Sequence, residues 1–507
     1  MNSLISQLLQ LSAAQPDLDA LRSRNLCLSY AELMDAVELA TAQLKSLELR
    51  RVGLYLDNGV DWIIFDLAAL AAGITAVALP RFFSATQIVH ALNDADLDGI
   101  VFDRDLPPGV TASGVALTGF SDSRIQCIET RNSNLSQNWA HSTSAPAKIS
   151  YTSGSTGAPK GVELGADFIE QTATSLCQAI AELDINVHLS ILPYATLLEN
   201  IAGIYVPLLL GRCVHAEPAA DIGLNDALGI DPAKLATCFN QVQPNSLIIT
   251  PQLLELLCQL VEKAMIKPDC LVFVAVGGAR VAPTLLQRAR QAGIPAYEGY
   301  GLTEFASVAT LNTPQNDRIG SVGKPLPGVF VSIAEDGEIC LVRDSLCAAE
   351  KGPQTLLRTG DLGSIDSDGF VQLQGRKSNL IVLANGRNVS PEWIEAELNA
   401  SALIAQSYVF SESGEQLAVL LASSATDAAL ETIINCINED LPAYARVHEW
   451  YRLKTPFSRA AQTLTTNGRL RRRQIEQQLP ELLSQGNAEL TPGRSHDRIS
   501  LQESNPC

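Results

Sequence analysis

The chain has 507 residues, of which 46% are hydrophobic and 18% charged, so it can form two or more domains with large cores. Acidic residues outnumber basic ones 55 to 36, and the formal net charge of −19 argues against nonspecific binding to nucleic acid or to anionic membrane surfaces. The eleven cysteines are scattered, odd in number and never spaced as a CxxC pair, which argues against a disulfide framework or a zinc site and predicts a cytoplasmic location.

The N-terminus and the apolar runs indicate neither export nor a membrane span. Met1 to Ala14 lacks the basic start and the sustained apolar segment of a signal peptide. The apolar run that comes nearest to a span, Leu67 to Leu79, contains Gly73 and falls short of the roughly 18 residues required. We therefore expect no membrane span.

Short apolar runs alternate with longer helical patterns through most of the chain. Val52 to Leu56 predicts a strand, about Asp61 to Ala72 a helix, and Thr75 to Leu79 the next strand. Such alternation is typical of α/β layers. Further strands are predicted at Gly99 to Phe102, Ser246 to Thr250, Leu271 to Val276 and Ala296 to Glu298.

A glycine-rich segment, Tyr151 to Gly161, predicts a loop that holds phosphate. Its glycines let the backbone approach an anion, while hydroxyls and one lysine offer donors and charge. It is not a Walker A loop, because its lysine is followed by Gly161. Composition alone fits a flexible linker equally well, but Ile149 and Val162 to Leu164 flank the segment like strands. The candidate phosphate ligands are Thr152, Ser153, Gly154, Ser155, Thr156, Gly157 and Lys160.

A second glycine-rich turn follows the strand that ends at Val276. This strand runs directly into Gly277-Gly278-Ala279. Open α/β sheets bind ligands beyond the carboxyl ends of their strands. We therefore expect a ligand site at this turn.

After about Phe330 the pattern changes to shorter strands and turns. Glu335 to Gly337 and Asp366 to Gly369 predict hairpin turns within a β-rich section. A small α/β unit is predicted from about Asn379 to Leu479. The last stretch, Ser484 to Cys507, has few apolar residues and predicts a disordered tail.

Four further motifs follow in order along the chain. Each is weak alone: a tyrosine is more often a core residue than a cofactor platform, an aspartate beside glycine is often only a turn residue, and a lone glutamate is usually a surface group. The motifs are Tyr300-Gly301-Leu302-Thr303-Glu304, Leu357-Arg358-Thr359-Gly360-Asp361, Gly375-Arg376-Lys377-Ser378-Asn379 and Thr466-Asn467-Gly468-Arg469-Leu470.

Together with the phosphate loop, this ordered set resembles the adenylate-forming superfamily: acyl-CoA synthetases, luciferases and the adenylation domains of peptide synthetases. The likeness covers about residues 26 to 475 and begins at Leu28-Ser29-Tyr30-Ala31-Glu32-Leu33. It implies an α/β fold with a large N-terminal domain of layered sheets and helices with a β-rich subdomain (1–376). A small mobile α/β C-terminal domain (377–480) would follow, and then the disordered tail (481–507).

The resemblance implies two half-reactions. A carboxylate attacks the α-phosphate of ATP and expels pyrophosphate, and a thiol then attacks the acyl-adenylate. The phosphate loop would hold the β- and γ-phosphates, and Thr303 would donate to the α-phosphate or to the substrate carboxylate. Glu304 would carry Mg²⁺, which prefers carboxylate and phosphate oxygens.

The same resemblance assigns the nucleoside. Tyr300 would stack on adenine beside Gly278 and Ala279, which are small enough to admit the base edge. Asp361 would accept both ribose hydroxyls, and Arg376 would donate to them.

The chain departs from the family near the end of the small domain. The family lysine that bridges carboxylate and phosphate is here Arg469, which keeps the charge but has a larger, planar head. We expect Arg469 to act as an electrostatic clamp. The hinge is expected at Lys377 or Ser378. The cluster Arg471 to Arg473 is either a solvated helix start or a dock for CoA phosphates or an acidic carrier protein.

The substrate pocket is expected near Tyr194, Thr196 and Gly277. Adenylation domains for α-amino acids carry aspartate where Tyr194 stands, so an α-amino acid is disfavoured, because a buried ammonium without a partner is costly. Many acyl-CoA synthetases have histidine at the position of Thr196. The apolar run Leu197 to Leu210 and the segment Leu383 to Glu392 resemble the branch for medium- and long-chain fatty acids, although the apolar run could equally be an ordinary core helix.

These features predict an ATP- and Mg²⁺-dependent enzyme that activates a fatty or other hydrophobic acid and transfers it to CoA or to a carrier-protein phosphopantetheine. One alternative is a stand-alone ligase that loads an aromatic or modified acid onto a carrier protein. Another is a catalytically impaired adenylate-binding protein, in which Arg469 reflects lost chemistry. Acid-dependent release of pyrophosphate distinguishes the enzymes from the impaired protein.

Overall fold

The computed structural model describes residues 3–104, 106, 110, 114–120, 125–129, 145–153, 159–224, 229–343, 356–465, 468–484 and 492–494. The chain divides into two compact units. The first comprises 1–281, 285–359 and 364–373, and the second comprises 282–284, 360–363 and the chain from Gln374 onwards. The expected domain boundary at residue 376 stays a prediction.

The α-helices of the described chain are α1 (Ser3–Ala14), α2 (Tyr30–Ser46), α3 (Val60–Ala72), α4 (Ala85–Asp94), α5 (Ala166–Ile180), α6 (Val206–Leu209), α7 (Pro232–Val242), α8 (Pro251–Glu262), α9 (Pro283–Gln291), α10 (Pro391–Asn399), α11 (Asp427–Asp440) and α12 (Arg472–Ser484).

The first strands are β1 (Asp19–Arg22), β2 (Cys27–Ser29), β3 (Arg51–Tyr55), β4 (Thr75–Ala78), β5 (Gly99–Phe102), β6 (Gly114–Leu117), β7 (Ile125–Glu129), β8 (Lys148–Ser153), β9 (Pro159–Leu164), β10 (Val187–Leu189), β11 (Cys213–His215), β12 (Ser246–Ile249), β13 (Phe273–Val276) and β14 (Ala296–Tyr300). The later strands are β15 (Thr310–Leu311), β16 (Lys324–Pro325), β17 (Val329–Ile333), β18 (Glu338–Arg343), β19 (Leu357–Ile365), β20 (Val371–Arg376), β21 (Ile381–Val382), β22 (Asn388–Val389), β23 (Ile404–Phe410), β24 (Leu417–Ser423), β25 (Val447–Arg452) and β26 (Pro492–Arg494).

Two large sheets form the frame of the first unit. One sheet has the order β16-β15-β14-β13-β12-β10-β11-β1-β2, and the other has the order β6-β7-β5-β3-β4-β8-β9. Neighbouring strands β12, β13 and β14 are parallel, so their carboxyl ends lie at one edge. Helix α3 is buried on all faces, including Trp62, Phe65 and the carboxylate of Asp66, as expected for a helix enclosed by other layers. The α/β prediction is confirmed.

Local signals in the sequence explain several element boundaries. The early motif at Leu28 to Leu33 is a capping box: the Ser29 hydroxyl accepts from the Glu32 backbone and the Glu32 carboxylate accepts from the Ser29 backbone. The predicted strand at 52–56 is β3, and that at 75–79 is β4. The predicted strand at 271–276 is shorter, because β13 begins only at Phe273. All predicted strand ends fall within one or two residues of the observed ones.

The β-rich section forms a four-stranded sheet, ordered β17-β18-β19-β20. Its two predicted hairpin turns are confirmed. Gly337 has a φ of +81° and donates to Ala334 O, closing the turn between β17 and β18. Gly369 has a φ of +84° and donates to Asp366 O, closing the turn between β19 and β20.

The apolar run Leu197 to Leu210 belongs to the core of the first unit. Residues Glu199–Tyr205 form a π-helix that continues into α6. Ile201, Ile204 and Leu208 are fully buried in the main apolar cluster. The core-helix interpretation therefore holds for these side chains. No helix in the described ranges has the length and apolar character to cross a bilayer.

The second unit has its own core. Its sheet has the order β23-β24-β25-β26, and its buried cluster includes Trp450, Ile394 and Leu430. The predicted tail needs a correction at two places. Helix α12 extends to Ser484, and β26 pairs antiparallel with β25. The disorder predicted from composition is therefore wrong for these two elements. The remaining tail residues lie outside the described residues.

Candidate functional site

The segment predicted to hold phosphate overlaps two paired strands, β8 and β9, which we call the phosphate hairpin. Strands β8 and β9 pair antiparallel from Lys148↔Leu164 to Ser153↔Pro159. Thr152 lies opposite Lys160, and its hydroxyl donates to Lys160 O at 3.4 Å, while the Lys160 side chain is exposed. The loop predicted over Tyr151 to Gly161 is therefore wrong at both ends, because the flanking strands extend into it: Tyr151 to Ser153 belong to β8, and Pro159 to Gly161 belong to β9. Gly154, Ser155, Thr156 and Gly157, and the side chain of Ser153, lie outside the described residues.

The Gly277–Ala279 turn lies at the carboxyl edge of the parallel strands. Gly277 is buried, and a Cβ there would lie 3.5 Å from Gly299 O and 3.7 Å from Leu198 Cδ2. Gly278 has a φ of +85°, and both Gly278 and Ala279 are exposed. The turn therefore presents a small, open backbone surface, as the base-edge role requires.

The Tyr300–Glu304 motif joins the end of β14 to a short 3₁₀ turn, Thr303–Phe305. Tyr300 is largely buried, whereas the Glu304 carboxylate is exposed. Gly301 is obligatory, because a Cβ there would approach Ser307 O to 1.8 Å.

Backbone strain marks the exit of this turn. Ala306 and Ser307 both have positive φ values, +53° and +89°, which non-glycine residues rarely adopt. Strain of this kind clusters at functional sites. The sequence carries no signal for it, since neither residue is Gly, Asn or Asp.

Within the first unit, β9 of the phosphate hairpin packs against the Thr303–Phe305 turn. The structure thus places the strand that carries Lys160 beside the turn that carries Thr303 and Glu304. This contact brings together two motifs more than 140 residues apart in the sequence.

The expected pocket residues have different surroundings. Tyr194 is fully buried edge-on against Trp62, with ring centroids 5.6 Å apart. Burial raises the pKa of this phenol well above its ordinary value. The Thr196 hydroxyl donates to Pro193 O at 2.6 Å, so it stabilises its own turn.

The two predicted ribose ligands contact each other in the second unit. Arg376 Nε lies 2.9 Å from Asp361 Oδ1, and Asp361 is buried. Gly360, with a φ of +74°, makes room: a Cβ there would lie 3.1 Å from Arg376 Nη1.

Arg469 lies on a tight turn of the second unit. Its backbone N–H donates to the Thr465 hydroxyl at 2.9 Å, Thr465 N donates to Arg469 O at 2.7 Å, and its side chain is exposed. The expected hinge residues Lys377 and Ser378 open a 3₁₀ turn, Lys377–Asn379. Such turns accommodate backbone rotation, and the hinge role stays a prediction.

One part of the basic cluster is structural. Arg472 begins α12, but its guanidinium is buried and pairs with Glu392 at 3.2 Å and with Glu395. Burial raises the pKa of Glu395, and Arg472 opposes that shift. The docking and solvated-helix interpretations are therefore both wrong for Arg472. Arg473 is exposed.

Two charged residues near the site carry no motif and were missed. The Glu298 carboxyl lies on β14 and is buried. Arg343 is the last residue of β18, and its guanidinium stacks between two aromatic rings. Its Cζ lies 5.2 Å from the ring centroid of Phe168 and 4.9 Å from that of Phe305. Desolvation lowers the pKa of Arg343 to about 10. The sequence signal for each was a charged residue beside apolar residues in a strand, Glu298 in β14 and Arg343 in β18.

The residues present fit a magnesium–phosphate site. Mg²⁺ is commonly held by one or two carboxylates together with substrate phosphates, and the exposed Glu304 carboxylate can supply one ligand. Within the described ranges, no group of three His, Cys, Asp or Glu side chains forms a metal cluster of its own.

Family models match most of the chain. The model described as AMP-binding enzyme matches residues 9–346, and that described as AMP-binding enzyme C-terminal domain matches residues 378–486. The chain therefore belongs to the AMP-binding enzyme family, within the adenylate-forming superfamily that its motifs resemble. The expected class, an AMP-forming acid–thiol ligase, is confirmed with it.

Three relatives illustrate the range of similar proteins. The long-chain-fatty-acid–CoA ligase FadD15 of Mycobacterium bovis is 26% identical over 459 residues, which cover 77% of this chain and 76% of that protein. The 2-succinylbenzoate–CoA ligase of Staphylococcus epidermidis is 24% identical over 477 residues, which cover 90% of this chain and 94% of that protein. A third similar protein is O-succinylbenzoate coenzyme A synthetase (MenE) from Bacillus subtilis, whose structure was solved in complex with ATP and magnesium ion. That structure has a TM-score of 0.70 at 19% identity, and the match covers 93% of this chain and 99% of that chain. This likeness confirms the fold.

Proposed function

We propose that the enzyme activates a hydrophobic carboxylic acid with MgATP and transfers the acyl group to CoA. A carboxylate oxygen bonds to the α-phosphorus as the bond to pyrophosphate breaks. A thiol sulfur then bonds to the acyl carbon, its proton is lost, and AMP leaves. The observation that carries the first step is the packing of β9 against the Thr303–Phe305 turn, which joins a phosphate-binding strand to a carboxylate suited to Mg²⁺.

We propose the remaining nucleotide roles from the motifs that carry these residues. The phosphate hairpin holds the leaving pyrophosphate, Thr303 donates to the α-phosphate or the substrate carboxylate, and Glu304 holds Mg²⁺. Tyr300 and the Gly278–Ala279 turn hold adenine, and the Asp361–Arg376 pair holds the ribose. A relative of the same fold crystallised with ATP and magnesium ion, which supports MgATP as the cosubstrate.

The walls around Tyr194 favour a hydrophobic acid. Tyr194, Trp62 and Leu198 are aromatic or aliphatic, and Gly277 leaves space beside Leu198. No carboxylate occupies position 194 to balance a substrate ammonium. Glu199, the nearest carboxylate along the chain, accepts hydrogen bonds from Ser190 and from His188 at 3.3 Å. We therefore propose a medium- or long-chain fatty acid as the first candidate, consistent with the fatty-acid relative.

An aromatic acid is the second candidate. Trp62 and Tyr194 form an edge-on aromatic pair in the core beside this region, and a substrate ring could pack in the same way. Similar proteins include ligases for 2-succinylbenzoate, an aromatic acid. In this case a carrier protein could replace CoA as the acceptor.

One assay tests the proposal. Pyrophosphate release from ATP is measured with acids that differ in chain length, aromaticity and amino substitution, first without an acceptor and then with CoA or a phosphopantetheinylated carrier protein. Turnover with fatty acids and CoA supports the first candidate, and turnover with aromatic acids that requires a carrier supports the second. Strong turnover only with α-amino acids contradicts both. No release with any acid would identify the impaired adenylate-binding protein.

A further inference from the structure

Glu298 is a buried carboxyl in the strand that leads into the nucleotide motif. It is only 5% exposed and lies opposite Val276 in the pairing of β14 with β13. Its backbone is fixed as well, because Asn312 donates both its backbone N–H and its side-chain amide to Glu298 O at 3.0 Å. The side chain therefore projects from a rigid strand.

The Glu298 side chain contacts the end of the neighbouring turn. Val281 N donates to Glu298 Oε1 at 3.3 Å. The beginning of the same turn is held by Gly277 N, which donates to Ile249 O at 3.1 Å. We name the segment from Gly277 to Val281 the base turn. It is anchored to the sheet at both ends, at Gly277 by a backbone hydrogen bond and at Val281 by the Glu298 carboxyl.

The base turn needs such anchors because it has no regular secondary structure. It connects β13 to α9, Gly278 has a positive φ, and Gly278 and Ala279 are exposed. Each loop residue that a ligand must order costs binding free energy, and a preformed loop avoids that cost. An anchor at Val281 therefore acts on the affinity of whatever binds at Gly278 and Ala279.

We propose that Glu298 is a positioning residue for the nucleotide base, and that its carboxyl holds the base turn in the shape that admits adenine. This inference rests on the proposed adenine role of Gly278 and Ala279. Glu298 does not touch the reacting atoms, so it controls the affinity for ATP and leaves the chemical step unchanged.

The surroundings of Glu298 favour the neutral acid at physiological pH. Burial raises the pKa of this carboxyl from its ordinary value near 4.5 to about 8, although the bond from Val281 N and the charge of Arg280 both oppose the shift. Arg280 is the charged group that faces it, and that guanidinium donates to Leu373 O at 2.9 Å. As the pH rises towards and past 8 the carboxyl ionises, and we expect the desolvation of its charge to work against the closed form of the base turn.

The test compares wild type with Glu298→Gln between pH 6.5 and 9.5, because glutamine has nearly the same shape and cannot ionise. The Michaelis constant for ATP and kcat are measured by pyrophosphate release, and ATP affinity is measured separately by calorimetry without acid. We expect the wild-type Michaelis constant for ATP to rise at least fivefold between pH 7 and 9.5. The Michaelis constant of Glu298→Gln should change much less over the same range, and kcat should follow the same pH profile in both proteins.

Two further variants complete the design. Glu298→Ala removes the anchor and should weaken ATP binding at every pH. Glu338→Gln changes another buried glutamate of the same unit, which pairs with Arg358, and should follow the wild-type profile.

The outcomes separate this inference from the proposed function. Wild type that binds ATP but releases no pyrophosphate contradicts the proposed function and leaves the calorimetric comparison valid. The inference is overturned if Glu298→Gln keeps the wild-type pH dependence of ATP affinity, if it lowers kcat alone, or if it is unfolded at pH 7. In the last case the ionised carboxylate would be the required form.

Discussion

Arg376 Nε donates to Asp361 Oδ1 at 2.9 Å, so the two residues that the motifs assign to the ribose form one pair. They lie on neighbouring strands, β19 and β20, of a four-stranded sheet. We propose that this pair orients the Asp361 carboxylate for the ribose hydroxyls of ATP.

Asp361→Asn should weaken ATP binding with little effect on kcat. The buried carboxylate accepts hydrogen bonds as a charged group, and such bonds are worth about 1.5–3 kcal/mol, which corresponds to roughly a 10- to 100-fold increase in the Michaelis constant for ATP. The measurement is the ATP dependence of pyrophosphate release. Asp368→Asn, at the exposed turn of the same hairpin, is the control and should change the constant by less than about twofold. Equal effects of both variants would contradict the assignment.

The motif-bearing turns of this fold could be predicted from the sequence because their signals are local. Glycines with positive φ at Gly278, Gly337 and Gly369 mark turns wherever they occur, and the capping box at Ser29 marks the start of α2. Strand structure beside the predicted phosphate loop followed from the apolar residues there, but the pairing of β8 with β9 and their extension into the loop did not.

Contacts between distant residues could not be predicted. In the sequence, Arg472 belongs to a basic cluster. Its partner Glu395, which neutralises it, lies 77 residues away in the sequence. The stacking of Arg343 on Phe305 likewise depends on the packing of β18 against the Thr303–Phe305 turn. Such pairings are properties of the fold, and one sequence carries no signal for them.

Gly277 should set the space available to the acid. A Cβ at this position would lie 3.5 Å from Gly299 O and 3.7 Å from Leu198 Cδ2, which are ordinary contact distances, so Gly277→Ala should fold. Gly277→Leu would fill the space beside Leu198, and we expect it to raise the Michaelis constant for the preferred acid about tenfold or more. A panel of acids of increasing length measures this. If Gly277→Leu left the order of preference unchanged, Gly277 would not line the pocket.

Arg343 should matter more for activity than for stability. Its guanidinium is buried between Phe168 and Phe305, with no carboxylate partner among the described residues, and Phe305 directly follows Glu304. Replacing an unpaired buried charge by an apolar side chain is often neutral or stabilising. We therefore expect Arg343→Met to melt at or above the wild-type temperature but to adenylate about 3- to 10-fold more slowly, because the turn loses the cation–π contact to Phe305.

The control for this prediction is Arg318→Met. Arg318 stacks on Phe370 at 4.5 Å and pairs with Asp368 on the surface. Its loss should leave adenylation unchanged within about twofold. Thermal unfolding and pyrophosphate release are measured on both variants. Wild-type activity in Arg343→Met would show that the stacking does not position the Glu304 turn.

Lys148 should be important for stability. Its ammonium is fully enclosed and lies 2.7 Å from Asp66 Oδ1 and 2.9 Å from the Tyr205 hydroxyl, with Asn200 also accepting. Lys148→Met would leave the Asp66 charge buried and uncompensated, at a cost of about 3–5 kcal/mol. Chemical denaturation measures the loss, and exposed Lys45→Met is the control.

A second variant distinguishes charge from packing at this network. Lys148→Met combined with Asp66→Asn removes the uncompensated charge, so it should recover part of the lost free energy of unfolding. If the double variant were no more stable than Lys148→Met, loss of packing around the lysine would explain the effect instead.

Arg469 decides whether the departure from the family lysine preserves the chemistry. Its side chain is exposed on a turn held by Thr465, so truncation should not disturb the fold. We expect Arg469→Ala to slow acyl-adenylate formation about 10²- to 10³-fold, because a charge that stabilises the developing negative charge of the transition state is lost. Arg469→Lys should retain much of the activity, since a compact ammonium keeps the charge.

The control for this prediction is Arg473→Ala, which changes an exposed arginine nearby. Thioester formation from a synthetic acyl-adenylate should proceed normally in Arg469→Ala, and an unchanged rate of pyrophosphate release in that variant would exclude the clamp role.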